Sequence, residues 1–127
     1  MAIPLLDEPH EYDFKLYQGV TWSKNFQWIY GSANVDLTGT TGEARFKVKH
    51  SDTSAAFTAT YAIVNATTGQ FSLSIAAATT SAVNFSTLFT CYDDTMSLAP
   101  MEWECDITDG TNVTRVIKGK CRFQQEV

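Results

Sequence analysis

The chain reads as an all-β protein, an immunoglobulin-like antiparallel β-sandwich of about eight strands with an extended N-terminal arm. Three observations predict this class. Apolar and polar residues alternate with a period of two almost from end to end, the signature of half-buried strands. Turn residues punctuate the chain every ~8–15 residues. No amphipathic stretch is long enough for a helix that would cover a sheet, which argues against βαβ layering. A small closed β-barrel has the same strand count and alternation and is the alternative.

Residues 1–11 form the arm and residues 12–127 a single domain. In the arm, Ile3, Leu5 and Leu6 are apolar, and Pro4 and Pro9 hold the backbone extended and out of a helix. Tyr12, Phe14 and Leu16 then alternate with Asp13, Lys15 and Tyr17, and Gly19 punctuates. Val20, Trp22, Phe26, Trp28 and Tyr30 share one face, opposite Thr21, Ser23, Asn25 and Gln27. Lys24 interrupts the pattern, by a bulge or by laying its stem on the core with its amine in water. Residues 31–34 turn, 35–37 are a short extended piece, and 38–42 turn again.

Ala44, Phe46 and Val48 point inward against Glu43, Arg45, Lys47 and Lys49. After a turn at 51–54, Phe57, Ala59, Tyr61 and Ile63 alternate with small polar residues. Residues 65–69 are a hairpin turn whose Gly69 can take a positive φ. Phe71, Leu73 and Ile75 follow. Thr79, Thr80 and Ser81 are placed to cap one helical turn reaching Phe85. Leu88 to Tyr92 can form a strand, ended by Asp93 and Asp94. Met101, Trp103, Cys105 and Ile107 then face away from Glu102, Glu104 and Asp106. Residues 109–112 are a strong hairpin signal. Val113, Arg115 and Ile117 share a face, Gly119 ends that strand, and Cys121 and Phe123 return inward. One core containing Phe46, Val48, Phe71, Leu73, Ile75, Trp103, Ile107 and Phe123 is expected.

A chain of 127 residues with 44% hydrophobic and 13% aromatic content can bury a core without a metal or disulfide. Charged residues are only 18%, below the ~25% usual in globular chains, which suits a surface covered by neighbours. Nine cations are scattered without a basic run and the net charge is −5, so neither nucleic acid nor an anionic membrane is an expected partner. No apolar run reaches the length of a membrane span. The N-terminus lacks the cationic start and long apolar stretch of a secretory signal. Sequons at Asn65, Asn84 and Asn112 are then turn chemistry. Cys91, Cys105 and Cys121 fit no zinc or redox spacing and are expected to be reduced thiols made in a cytoplasm. Cys105 and Cys121 share the inward phase. Cys91, in irregular sequence, is the candidate for pairing across chains.

No catalytic centre is expected. His10 lies in the arm and His50 beside a turn, so both read as surface histidines. No Ser or Cys sits in a nucleophile motif. Glu102, Glu104 and Asp106 resemble a two-carboxylate hydrolase site. Carboxylates at i, i+2 are also the ordinary solvated face of a sandwich, and that is the expectation here. Glu104→Gln and Asp106→Asn are then expected to change stability by less than about 0.5 kcal/mol. Asp93, Asp94, Asp106 and Asp109 match no calcium-loop spacing, so no metal or cofactor is expected.

The order of the landmarks resembles a family of small bacteriophage tail and baseplate proteins with an immunoglobulin-like sandwich, as in the N-terminal domain of upper baseplate proteins. The segments that carry it are Tyr17-Gln18-Gly19-Val20-Thr21, Phe26-Gln27-Trp28 and Val35-Asp36-Leu37-Thr38-Gly39. Ala44-Arg45-Phe46-Lys47-Val48-Lys49, Gly69-Gln70-Phe71-Ser72-Leu73-Ser74-Ile75 and Trp103-Glu104-Cys105-Asp106-Ile107-Thr108-Asp109-Gly110 continue it, and Val116-Ile117-Lys118-Gly119 ends it. The resemblance spans about residues 12 to 125, and residues 87–100 depart from it as an added loop. It implies a structural virion protein, made in the host cytoplasm, that holds tail, baseplate or fibre components together in many copies. The arm, through Ile3, Pro4, Leu5 and Leu6, is the candidate partner-binding element. A carbohydrate-binding sandwich on a virion or cell surface is the alternative. It would need Trp22, Trp28 or Trp103 exposed as a stacking platform rather than packed in the core.

Overall fold

The computed structural model describes residues 5–6, 10–30, 32–48, 54–83 and 98–124. These form ten strands and one short helix. The strands are β1 (Leu5–Leu6), β2 (His10–Glu11), β3 (Phe14–Tyr17), β4 (Trp22–Tyr30), β5 (Ala33–Asn34), β6 (Thr41–Lys47), β7 (Phe57–Asn65), β8 (Gln70–Ile75), β9 (Leu98–Thr108) and β10 (Val113–Gln124). Helix α1 covers Ala77–Ser81. The fold is all-β, as the alternation predicts.

The strands hydrogen-bond in the order β1-β4-β8-β7-β6-β9-β10-β2, with β3 also on β10 and β5 on β4. This order is one continuous sheet with two halves, β4-β8-β7 and β6-β9-β10-β3, that curl toward each other as an all-β sandwich or half-barrel. Strand β7 joins them. Its first half, Phe57 to Thr60, pairs with β6, and its second half, from Thr60 onward, pairs with β8. A strand that changes sheets makes the corner, and the sheet curls over its own inner face.

The other seam lies between β3 and β4, which share no ladder. Aromatic side chains close it: Phe14 stacks on Trp22 at 4.6 Å between ring centres, and Tyr12 meets Phe26 edge-on at 5.5 Å. The Lys24 amine sits 5.8 Å from the centre of the Tyr12 ring. Strand β4 keeps regular register with β8 through Lys24, so the lysine stem lies along the inner face without a bulge.

Phe26, Phe46, Phe71, Leu73, Ile75, Trp103, Ile107 and Phe123 form one buried cluster with Leu16, Leu37 and Met101. Trp103 stacks on Phe46 at 5.7 Å, Phe46 on Phe57 at 5.0 Å and Phe26 on Phe71 at 5.6 Å. Val48 is half-buried at the rim.

Several local expectations change. Gly119 does not end a strand. β10 runs through it, with Gly119 opposite Trp103. A side chain there would place its Cβ 2.2 Å from the Tyr12 carbonyl oxygen, so glycine is what lets the N-terminal segment lie against β10. Arg115 and Ile117 do not share a face. The register shifts between them, and Val116 and Ile117 are both buried. Val20, Tyr30 and Ile63 are in core phase but exposed: Val20 precedes β4, Tyr30 is the last residue of β4, and Ile63 lies in the half of β7 that has left β6. The helical turn starts earlier than expected, at Ala77, and no side chain caps it. Thr80 is buried inside it, accepting the Gly19 amide at 2.9 Å and donating to the Ala77 carbonyl at 3.1 Å. Phe85 and the Leu88 to Tyr92 strand lie outside the described residues.

Candidate functional site

The densest polar arrangement among the described residues lies on the outer face of β6, β9 and β10. Strand β9 carries Glu102, Glu104 and Asp106 outward. Register places Arg45 of β6 opposite Glu104 and Lys47 opposite Glu102. On the other flank, Arg115 lies opposite Asp106, Lys118 opposite Glu104 and Lys120 opposite Glu102. A row of acids is therefore flanked by cations from both neighbours, the arrangement that favours cross-strand pairing.

Here the expectation of a solvated carboxylate face is corrected. Glu104 is buried, at 6% exposure. Its Oε2 is 2.9 Å from Arg115 Nη1, and its Oε1 is 3.4 Å from Arg45 Nε and 3.5 Å from Lys47 Nζ. Asp106 accepts from the Arg115 guanidinium at 3.0 Å and from the Arg45 guanidinium. Long basic stems folded over a short acidic row exclude water from it. Burial pulls the Asp106 carboxyl upward, but the hydrogen bonds and charges of Arg115 and Arg45 outweigh this and hold it below the usual carboxylate range. Glu43 and Asp106 are like charges directly opposite one another, and Arg45 bridges them, with Nη1 3.5 Å from Glu43 Oε1. Beside this row is an open depression of about 270 Å³ lined by Thr41, Gly42, Glu43, Arg45, Asp106, Thr108 and Val113. Sequence reading found the acids and missed their partners. Only the register across three strands brings Arg45 and Arg115 together.

The arm enters the sheet at both ends of the strand order. Leu5–Leu6 pairs parallel with Gln27 and Trp28, and His10–Glu11 pairs parallel with Ile117 and Lys118. Ile3, Pro4, His50, Cys91, Asp93 and Asp94 lie outside the described residues. Cys105 and Cys121 are buried free thiols, and burial pushes both up to about 12. Cys105 is opposite Ile117 and Cys121 opposite Met101. That stagger separates the two along the strands by roughly 13 Å, beyond the ~7 Å limit between Cα atoms for a disulfide.

Trp103 is 2% exposed, and Trp22 and Trp28 are partly buried against the core. Among the described residues, no group of three His, Cys, Asp or Glu could hold a metal ion. No helix among them is long and apolar enough to cross a membrane.

No protein-family model matches the chain, and no curated protein matches it. Among solved structures it is similar to one described as the N-terminal domain of phage TP901-1 ORF48. The TM-score is 0.46 and the identity 8%, over 97% of this chain and 95% of that one.

Proposed function

We propose that this chain is a structural virion protein of a bacteriophage, holding tail, baseplate or fibre components together by protein contacts and performing no chemistry of its own. One observation carries the reading. Five of the seven segments behind the resemblance to phage tail and baseplate proteins carry a glycine at a joint of this fold. Gly19, Gly39, Gly69 and Gly110 all have positive φ, at 80°, 76°, 74° and 98°. Gly69 sits where its Cβ would be 2.4 Å from the Trp28 carbonyl oxygen, and Gly119 is where the N-terminal segment crosses β10. These segments thus specify turns and close approaches, which alternation alone does not.

The partners in this reading are other virion proteins, with the chain present in many copies of a symmetric assembly in the tail or baseplate. The arm, with Ile3, Pro4, Leu5 and Leu6, is the contact element in this reading. Quantitative mass spectrometry of purified particles of the phage that encodes the chain tests this. The protein should be present at a fixed multiple of a tail component of known copy number. Its presence in the lysate with absence from particles would overturn the proposal.

A further inference from the structure

We infer that the second half of β7 is a self-association edge, at which a second copy of this chain adds its own β7 in antiparallel register. The inference deepens the multi-copy reading above by naming one contact between copies.

The edge arises from the corner. β6 pairs with β7 only as far as Glu43 opposite Thr60, whereas β7 continues on β8 through Tyr61, Ala62 and Ile63. The Tyr61 ring wedges the strands apart. It lies against Gly42, where a Cβ would be 2.8 Å from it, and its hydroxyl is 2.9 Å from Thr40 Oγ1. Beyond Tyr61, β7 has a ladder partner on one side only among the described residues. Successive residues of such an edge alternate, one directing its N–H and C=O to the paired strand and the next directing both to the open side, so the open side can take another strand.

The side chains point the same way. Phe26, Phe71 and Ile63 form one row across β4, β8 and β7. Phe26 and Phe71 are 0% exposed, while Ile63, at the open end, is 40% exposed. The core row is thus cut off at the edge. A register shift follows at Val64, which is 52% exposed, so two successive apolar side chains sit at the edge.

The occupant is a second copy because the edge suits itself. β7 reads Phe-Thr-Ala-Thr-Tyr-Ala-Ile-Val-Asn, without a charge, a proline or a glycine. These are residues that ordinarily block edge pairing; the bulge at Val64 is a device of the same kind and lies at the end of the pairing line. In a chain of net charge −5, this strand can meet its own copy without repulsion along the pairing line. An antiparallel pair about a two-fold axis places the same residues on both sides and joins the two apolar rows.

The test uses the full chain in analytical ultracentrifugation over ~5–500 µM, with hydrogen–deuterium exchange at both ends of that range. A monomer–dimer equilibrium should appear, with amides of residues 61–64 gaining protection at high concentration. Val64→Lys places like charges across the pair and should weaken association at least about tenfold with an unchanged melting temperature, Val64 being exposed. Ala62→Lys should act in the same way. A monomer throughout, or a dimer that both lysine variants leave intact, would overturn the inference. A chain that stays monomeric in solution yet is found in particles would remove this contact and leave the virion proposal standing.

Discussion

The indole Nε1 of Trp103 donates a hydrogen bond of 2.8 Å to the main-chain carbonyl of Tyr12, joining residues 91 positions apart. The bond crosses the bare position of Gly119, which pairs with Trp103 in the ladder. Two further contacts fasten the same place. Tyr12 N donates to the Lys118 carbonyl at 2.9 Å, and Lys120 N donates to Asp13 Oδ1 at 2.8 Å. The segment that leads from the arm into the sandwich is held at this clip.

Gly119→Ala should therefore destabilise the protein by roughly 2–4 kcal/mol, although alanine suits a strand better than glycine elsewhere. The added methyl group meets backbone, which cannot move aside as a flexible side chain can. Trp103→Phe keeps most of the packing and removes the donor, at a cost of about 1–2 kcal/mol. Trp103→Ala should cost about 3–5 kcal/mol. Urea denaturation of the three variants checks the order.

Glu104→Gln should cost roughly 2 kcal/mol, because a buried carboxylate bonded to Arg115, Arg45 and Lys47 becomes a neutral amide among three cations. The sequence-based expectation of less than about 0.5 kcal/mol belongs to an exposed glutamate. Denaturant midpoints at two salt concentrations measure it.

Asp106 sets an acid limit. Its folded carboxyl titrates below the ordinary range, so the stability it contributes is complete above the unfolded value of about 3.9 and is lost as pH falls through the lower folded value. The difference in stability between wild type and Asp106→Asn should be constant from pH 7 to about pH 5 and shrink below about pH 4. A difference that grows on acidification would reverse the assignment.

Cys105 and Cys121 should resist alkylation at pH 8 in the folded protein, since thiols pushed up to about 12 and buried present almost no thiolate. Both should label fully in denaturant and show no bridge to one another. Peptide mapping after rapid alkylation, with and without reductant, checks this.

Alternation makes most of the fold legible in the sequence. A residue's phase along its own strand is a local property, so Phe46, Phe71, Leu73, Ile75, Trp103, Ile107 and Phe123 are found where their phase puts them. Properties decided between strands were not legible. Gly119 looks like a breaker until Tyr12 is laid over it. Glu104 looks solvated until cations from two other strands close over it. Arg115 changes face because a bulge at Val116 shifts the phase. Tyr61 and Ile63 follow the inward pattern, but the corner at Thr60 decides that one wedges the seam and the other remains open.

Deleting the arm tests whether it serves folding or assembly. Tyr12 and Asp13 fasten the chain to β10 independently of Leu5–Leu6, whose pairing with β4 spans two residues. Deletion of residues 2–9 should leave a cooperatively melting sandwich that enters particles poorly. Normal incorporation of the deleted protein would remove the arm as an interface, and failure to fold would make it part of the core.

A cryo-EM reconstruction of the native particle tests the virion proposal most directly. It should show this sandwich repeated under the symmetry of a tail or baseplate, with residues 1–9 in contact with a neighbouring subunit. A complete reconstruction of tail and baseplate without density for this sandwich would contradict the account.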